Sequence, residues 1–311
     1  MNKIEKLIID FKNSGAGQNI NYYDCSKTII SSHSTKIEGS TLTIREAYNL
    51  IKDGIAPKRL LLHSVMTIDH YNAISYVIDQ SSRKIPISIE QIKHINSLVM
   101  KGTGQIFENI LKTVNATKED FRKASVIVDS ARFMNYDKVP TKVTELVNKI
   151  NQALKKEDRL TICQKLELSF FAHYELVNIH PFLDDNDRTS SILMKYIQNY
   201  DLPLSIVYTI YPFLDGNGRT ARLLMDYIQN YFSLPLSTVC AEDNREYYQV
   251  LSRVRNTNNI QPFYDFMFSQ YEKYLDEAIE KANEADKSKS ITFKLNKRMK
   301  ENIYNTEEKL L

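Results

Sequence analysis

The sequence predicts a mainly α-helical protein. Apolar residues recur at helical spacing along most of the chain. Glycine and proline, the residues that most often interrupt helices, number only 8 each among 311 residues. One short run of β-branched residues, 124–128 (ASVIV), stands apart from this pattern and predicts a small hairpin. We therefore expect a helical bundle with a hairpin at its edge.

The individual helices are predicted in chain order from the same spacing. Gly54 ends one of them, and Ser88 with Gln91 has the pattern of a capping box at the start of another. The most apolar helix, 163–179, should be central, and the Lys- and Glu-rich end of the chain predicts a solvated tail or a terminal helix. The predicted helices cover 3–12, 43–54, 58–79, 89–100, 141–154, 163–179, 220–231 and, as two helices, 243–272.

Composition and charge exclude several classes of protein. Charged residues make up 25% and hydrophobic residues 42% of the chain, as is usual for a globular protein. The net charge of +3 argues against a general nucleic-acid binder, which would show a concentrated basic face. The N-terminus does not read as a signal peptide, and no apolar run approaches the roughly 18 residues of a membrane span. Three widely spaced cysteines, Cys25, Cys163 and Cys240, form no disulfide framework or metal motif, so we expect a cytoplasmic protein.

An internal repeat is the main anomaly of the sequence. At residue 180 the chain reads HPFLDDNDRTSS, and at residue 211 it reads YPFLDGNGRTAR. The first copy continues as ILMKYIQNYDLPLS and the second as LLMDYIQNYFSLPLS. Two copies are too few for a solenoid. The pattern indicates one segment duplicated in place, with copy one over 180–210 and copy two over 211–239.

Copy two has the chemistry of a phosphate site. Its glycines, Gly216 and Gly218, permit a tight loop whose amides converge on an anion at the start of the helix that follows. Arg219 and Arg222 are three residues apart and share the first turn of that helix. Asp215 could bring Mg²⁺, which prefers carboxylate and phosphate oxygens. A plain turn before a helix is the alternative for DGNG alone, but the twelve-residue string is far more specific.

Copy one supplies the complementary group, a histidine. His180 ends the apolar helix and stands immediately before the loop. An imidazole with a pKa near 6.5 can accept a proton from a hydroxyl at neutral pH. An isolated histidine is more often structural, but the anion loop beside it favours a functional role.

Fused into one string, the two copies resemble a known motif. HPFLDGNGRTAR matches the signature HPFx(D/E)GNGRxxR of Fic-domain proteins, and the flanking segments extend the resemblance over roughly 88–272. Upstream, STKIEG at 34–39 resembles the (S/T)xxxE(G/N) inhibitory helix of Fic proteins. The resemblance implies a Fic-type helical bundle with a β-hairpin flap beside the active site. Its implied parts are an N-terminal helical region, 1–87, with the inhibitory helix at about 33–50, a Fic domain, 88–275, and a charged tail, 276–311.

The resemblance also implies an activity, the transfer of AMP from ATP to a hydroxyl side chain of a target protein. His180 would be the general base, and the target would dock by strand addition on the hairpin near Val126–Val128. Glu38, with Ser34, would hold Arg222 away from the γ-phosphate and so inhibit transfer; removal of AMP by means of Glu38 is also open. Mg²⁺ would be held by Asp215 and Asp184. The nucleotide would be bound by Gly216, Asn217, Gly218, Arg219, Arg222, Asn186 and Arg188.

Neither copy is a complete motif. Copy two has Tyr211 in place of the histidine, and a phenol with a pKa near 10 is a poor base at pH 7. Copy one has Asp185 and Asp187 in place of the glycines, which brings negative charge toward phosphates, and Ser191 in place of the second arginine. Copy one could therefore occupy the active site, copy two could occupy it, or His180 could be combined with the loop of copy two while 184–214 lie outside.

These departures leave three functions open. The chain could be an active or weakly active adenylyltransferase. It could instead be a degenerate Fic protein that binds nucleotide or a partner without efficient transfer. A third alternative keeps the scaffold and moves a different phosphate-containing group. The target, the nucleotide preference and a homo-oligomeric state cannot be predicted from the sequence.

Overall fold

The chain is largely helical, as the apolar spacing predicts. The computed structural model describes residues 3–15, 22–104, 106–108, 113–115, 121–123, 127–128, 131–182 and 216–307. The α-helices in these ranges are α1 (Lys3–Asn13), α2 (Tyr22–Ile37), α3 (Ile44–Asp53), α4 (Leu61–Ser82), α5 (Ile89–Val99), α6 (Val139–Leu154), α7 (Ile162–Ile179), α8 (Asn217–Tyr231), α9 (Asn244–Thr257) and α10 (Gln261–Glu307). None of the helices within them is long and apolar enough to cross a membrane.

The helix ends follow local signals in the sequence. Ser88 caps α5, and its side chain and that of Gln91 bond each other's backbone amides, so the predicted capping box is confirmed. Gly54 ends α3 in the left-handed conformation at φ 67°, which a glycine adopts without a steric penalty. The region at about 33–50, expected as the inhibitory helix, divides into the end of α2, a turn at 38–43 and the start of α3, because Thr43 caps a new helix there.

Two short hairpins accompany the helices. β1 (Ile106–Glu108) pairs antiparallel with β2 (Thr113–Asn115). β3 (Ile127–Val128) pairs in the same way with β4 (Ala131–Arg132). The strand predicted over 124–128 thus overlaps β3, while its first three residues lie outside the described part of the chain. The role of this hairpin as a flap stays a prediction.

Helix α8 is the centre of the bundle. It packs against α4, α5 and α7, and all of its residues from Arg219 to Asn230 are buried. Its polar side chains bond the surrounding elements: Tyr227 donates to the carbonyl of Ile85 at 2.6 Å, and the amide of Asn230 donates to the hydroxyl of Ser81 at 2.8 Å. Such pairing is what allows polar groups to lie in a core.

The chain divides into two compact units. One unit comprises Met1–Tyr22 and Glu272–Leu311, and the other comprises Tyr23–Tyr271. Helix α10 continues to Glu307, beyond the predicted end at 272, because the segment after Pro262 contains good helix formers and neither glycine nor proline. The predicted tail, 276–311, is therefore helical through Glu307. Every residue of the candidate site that the structure describes belongs to the second unit.

Candidate functional site

His180 lies at the C-terminal end of α7. Its backbone is left-handed, with φ 51° and ψ 61°, and its amide donates to the carbonyl of Leu176 at 3.0 Å. A non-glycine residue in this region is strained, and such strain persists where surrounding contacts hold it. The side chain is 4% exposed. The chain thus turns sharply at His180 and leads directly into the loop that follows.

Two residues that sequence reasoning missed hold His180 in place. The buried guanidinium of Arg122 donates to the carbonyl of His180 at 2.7 Å and to that of Met134 at 2.6 Å. Burial lowers the pKa of the Arg122 guanidinium from its usual value. The ring of Phe133 stacks on the imidazole, with 4.2 Å between ring centroids. Only the position of these residues on either side of the ASVIV run could have drawn attention to them.

The loop of copy two meets the loop of His180 through one side chain. The carboxamide of Asn217, at the start of α8, accepts a hydrogen bond from the amide of Phe182 at 2.9 Å. It donates to the carbonyl of the same residue at 3.2 Å. Phe182 and Asn217 are therefore in direct contact, although they are 35 residues apart in the chain. The described residues thus bring the start of α8, in copy two, close to the end of α7 at His180. Which of the three arrangements the chain adopts stays a prediction, because 183–215 lie outside the described residues.

Gly216 allows α8 to begin close against α5. A Cβ atom at this position would overlap the side-chain amide of Asn96 and approach Met100. Asn96 also donates to the hydroxyl of Thr220 at 3.2 Å. An aspartate in place of Gly216, as Asp185 of copy one would be, fits only if the side chains of Asn96 and Met100 on the α5 side move.

Glu38 and Arg222 form the strongest polar contact of the site. Nη2 of Arg222 donates to Oε1 of Glu38 at 2.5 Å, and its Nε donates to the hydroxyl of Ser34 at 2.9 Å. The same Nη2 also reaches the carbonyl of Ser34 at 3.1 Å. Arg222 is 2% exposed. The end of α2 is thereby attached to the first turn of α8. The segment that resembles the inhibitory helix thus contacts the segment that resembles the Fic motif.

The absence of a side chain at Gly218 leaves space for the carboxylate of Glu38. A Cβ atom at Gly218 would lie 2.7 Å from Oε1 of Glu38 and 3.3 Å from Nη1 of Arg222. The carboxylate therefore rests against the backbone at the N-terminal end of α8, where helix amides and the helix dipole favour an anion. An aspartate here, as Asp187 of copy one would be, would meet Glu38 with both bulk and like charge.

The charge of Arg222 is balanced by Glu38. Burial by itself would lower the pKa of the guanidinium, but Glu38 together with Tyr247 and Tyr248 outweighs burial and raises it above the usual value. Breaking a buried pair by removing one partner typically costs about 3–5 kcal/mol. When Glu38 leaves, Arg222 therefore needs another negative charge beside it.

Arg219 faces a different part of the structure from Arg222. Its side chain is fully buried and donates to the carbonyl of Val99 and to the sulfur of Met100, both at 3.3 Å. These acceptors lie at the C-terminal end of α5, where a cation is favoured by the helix dipole. In this conformation Arg219 joins α8 to α5, and its predicted contact with nucleotide stays a prediction.

The remaining predicted site residues lie outside the described part of the chain. This holds for both predicted magnesium ligands and for the loop residues of copy one. Within the described ranges, no group of three or more His, Cys, Asp or Glu side chains is arranged to hold a metal ion. The predictions that cannot be placed concern Asp184, Asp215, Asn186, Arg188 and Val126.

Comparison with known proteins identifies similar sequences. Residues 86–198 match a family model described as Fic/DOC family. The matched range includes 180–198 of copy one, whereas the helix that packs at the centre of the described bundle belongs to copy two. The proteins named Protein adenylyltransferase Fic of Drosophila erecta and of Drosophila melanogaster are each 27% identical over 169 residues. These matches cover 52% of this chain but only 30% of each relative.

Solved structures share the fold. A Fic domain containing signaling protein from Bacteroides thetaiotaomicron has a TM-score of 0.68 at 20% identity and covers 91% of this chain and 98% of its own. Fic-1 from C. elegans has a TM-score of 0.60 at 22% identity and covers 92% and 71%. The chain therefore has the fold of Fic-domain structures.

Proposed function

We propose that the chain is a Fic-type protein adenylyltransferase, which moves AMP from ATP to a hydroxyl of a target protein, and that Glu38 inhibits it. The observation that carries the proposal is the contact of Asn217 with the backbone of Phe182. It brings His180 of copy one and the glycine loop of copy two into one motif. The split motif then contains every group that the transfer needs.

The N-terminal end of α8 is suited to bind the phosphates of ATP. Gly216 and Gly218 present backbone without side chains, and the helix amides point outward from the same end. Glu38 already places an anion there, at hydrogen-bond distance from Arg222. A phosphate group would offer the guanidinium the same kind of partner. Mg²⁺ would accompany ATP and offset the phosphate charge, with Asp215 as its proposed ligand.

His180 would act on the target hydroxyl. The imidazole accepts the hydroxyl proton while the oxygen attacks the α-phosphorus of ATP, and pyrophosphate leaves. Phe133 and Arg122 fix the ring and the backbone of His180, so the base is positioned before the substrate arrives. General bases of this kind contribute roughly 10²–10⁴ to the rate.

Inhibition would follow from the pairing of Arg222 with Glu38. While Glu38 holds the guanidinium, Arg222 is not available to the γ-phosphate, and the carboxylate repels phosphates that approach the end of α8. Ser34 strengthens the hold through two further hydrogen bonds. The uninhibited form requires Glu38 to leave.

Transfer of label from ATP to proteins in a lysate tests the proposal. We expect Glu38→Gly to raise transfer at least about tenfold, since it removes one charge-assisted hydrogen bond. Glu38→Gln, which keeps the shape but not the charge, should give an intermediate rise. His180→Ala in the Glu38→Gly background should abolish transfer. Transfer that persists without His180 would contradict the assignment of the base.

The burial of His180 favours a second candidate function, in which the protein binds nucleotide without transferring AMP. The imidazole is 4% exposed and lies beneath Phe133, so a target hydroxyl must displace a ring to reach it. In that case Glu38→Gly would increase ATP binding, measured by calorimetry, without producing labelled protein. Binding and transfer measured on the same variant therefore separate the two functions.

A further inference from the structure

A second acidic residue lies buried beside Arg222. Asp226 follows it by four residues on α8, and residues at this spacing share one face of a helix. The side chain of Asp226 is 0% exposed. Within the described residues, the two carboxyl oxygens of Asp226 have no hydrogen-bond partner. The same holds for Nη1 of Arg222. The proposed mechanism makes no use of Asp226.

The two copies of the repeat differ at both of these positions. Copy two has Arg222 followed by Asp226, whereas copy one has Ser191 and Lys195 at the corresponding positions. The copy that lacks the arginine thus also lacks the aspartate, although most of the helix around them is unchanged. This joint difference is what a functional pair of charges would produce.

We propose that Asp226 is the second counter-ion of Arg222 and takes over the guanidinium when Glu38 leaves. The proposal rests on the proposed function only in identifying nucleotide as the agent that displaces Glu38. With Glu38 in place, Asp226 stays protonated and neutral. When Glu38 leaves, Asp226 loses its proton and holds Arg222 in position at the end of α8.

The physical basis is the cost of a buried, unbalanced charge. Arg222 remains buried whether or not Glu38 is present, so the loss of its partner leaves a cation in a low-dielectric interior. Burial raises the pKa of Asp226 well above its usual value, and Arg222 acts in the opposite direction. Removal of Glu38 strengthens the effect of Arg222, because the guanidinium is no longer neutralised.

The other ionisable groups around the pair do not offer a negative charge. Burial, and then the charge of Arg222, lower the pKa of His70 and of His173 well below 6.5, so both stay neutral at pH 7. His70 contacts the hydroxyl of Ser31 at 3.0 Å, and His173 contacts that of Tyr247 at 2.9 Å. Besides Glu38 after α2, the ionisable groups that face the pair from packed elements are His70 on α4, His173 on α7, and Tyr247 and Tyr248 on α9.

A double-mutant cycle on thermal stability tests the exchange without requiring activity. With Glu38 present, Asp226→Asn should raise Tm at pH 7.5, because it replaces a carboxyl that folding forces to stay protonated. In the Glu38→Gly background the same substitution should lower Tm, because it removes the ionised partner of Arg222. The reversal of sign is the expected result. Equal shifts in the two backgrounds would overturn the proposal.

Asp69 provides the matched control. This buried carboxylate on α4 accepts a hydrogen bond from the amide of Gly102 at 2.7 Å, and the charges that it faces are Arg219 and Lys101 rather than Arg222. Asp69→Asn should shift Tm by the same amount with and without Glu38. A reversal of sign there as well would show a general effect of Glu38→Gly and would contradict the specific pairing.

Infrared spectroscopy observes the proton directly. The carbonyl stretch of a protonated carboxylic acid should be present in the parent protein and absent from Asp226→Asn. The same band should be lost in Glu38→Gly if Asp226 ionises there, and its persistence would overturn the exchange. These results do not depend on AMP transfer, so a failure of the proposed function would leave them interpretable.

The exchange also predicts that inhibition weakens as the pH rises. Asp226 has a lower pKa in the released state than in the inhibited state, so a rising pH favours release. The ratio of transfer by Glu38→Gly to transfer by the parent should fall with pH, and in the matching pair that carries Asp226→Asn it should stay constant. A pH-dependent ratio that survives Asp226→Asn would assign the effect to another group.

Discussion

At the scale of single residues, Asn217 has the most consequential position. Its one side chain satisfies both the amide and the carbonyl of Phe182, a buried residue next to the candidate base. Backbone groups buried without a partner are costly, so the side chain is needed for the loop to close. The asparagine of GNG therefore joins two distant parts of the chain, in addition to any contact with phosphate.

We predict that Asn217→Ala lowers the free energy of unfolding by about 2–4 kcal/mol. Two hydrogen bonds are lost, and each leaves a buried backbone group of Phe182 unsatisfied at about 1–2 kcal/mol. Urea denaturation of the full chain would measure the change. Asn217→Asp keeps the acceptor for the amide of Phe182 but repels its carbonyl and buries a charge, so it should lower the stability as well. A stability equal to that of the parent would show that the hydrogen bonds between Asn217 and Phe182 do not stabilise the fold.

At the scale of elements, one helical position in the bundle has two candidate segments. Copy one repeats the tyrosine, glutamine and asparagine that in α8 bond the core, as Tyr196, Gln198 and Asn199. It differs at the positions where α8 meets Glu38 and α5, and Lys195 would bring an additional cation into the core beside buried histidines. An unpaired buried charge is strongly unfavourable, which explains why the bundle contains copy two.

We predict that deletion of 184–214 gives a folded protein that is more active than the parent. The deletion reconstructs HPFLDGNGRTAR without a break. The hydrogen bonds between Asn217 and Phe182 already hold together the two parts of the chain that the deletion joins. The shorter connection also reduces the entropy of closing the loop. Thermal denaturation and transfer of label from ATP would be measured on both proteins. A deletion protein that is folded but no more active would show that the duplication does not limit catalysis.

At the scale of the whole molecule, buried ionisable groups make stability depend on pH. His70 and His173 have pKa values well below 6.5 in the folded chain, so the unfolded chain binds more protons as the pH falls below 6.5. Stability from these groups is lost in that direction. Asp226 has a raised pKa and keeps a proton that the unfolded chain releases. Its effect is the opposite, a loss of stability as the pH rises.

We predict a maximum of stability near pH 6.5. Below it, two histidines outweigh one aspartate, and each group changes the free energy of unfolding by at most about 1.4 kcal/mol per pH unit. Above it, only Asp226 contributes among these three, and stability declines until its folded pKa is reached. Tm measured from about pH 4.5 to 8 would show the maximum. Asp226→Asn should remove the decline on the alkaline side, and an unchanged decline would contradict the assignment.

The sequence by itself determined the local features of this protein. The apolar spacing predicted the helices, Ser88 and Gln91 predicted a cap, and two motifs pointed to Glu38 and Arg222. Each of these signals acts over a few residues, so it can be recognised without the fold. The sequence left open whether the end of the chain is a solvated tail or a terminal helix, because nothing in the local pattern distinguishes the two.

Only the tertiary structure decided which copy of the motif supplies the helix at the centre of the described bundle. The copies share most of their sequence, so local propensity cannot choose between them. The choice depends on contacts between residues far apart in the chain: Asn217 with Phe182, Gly218 with Glu38, and Gly216 with Asn96. Close packing and buried charge penalise an aspartate or a lysine at these contacts. The same packing places Arg122, Phe133 and Asp226 beside the site, where no motif would have located them.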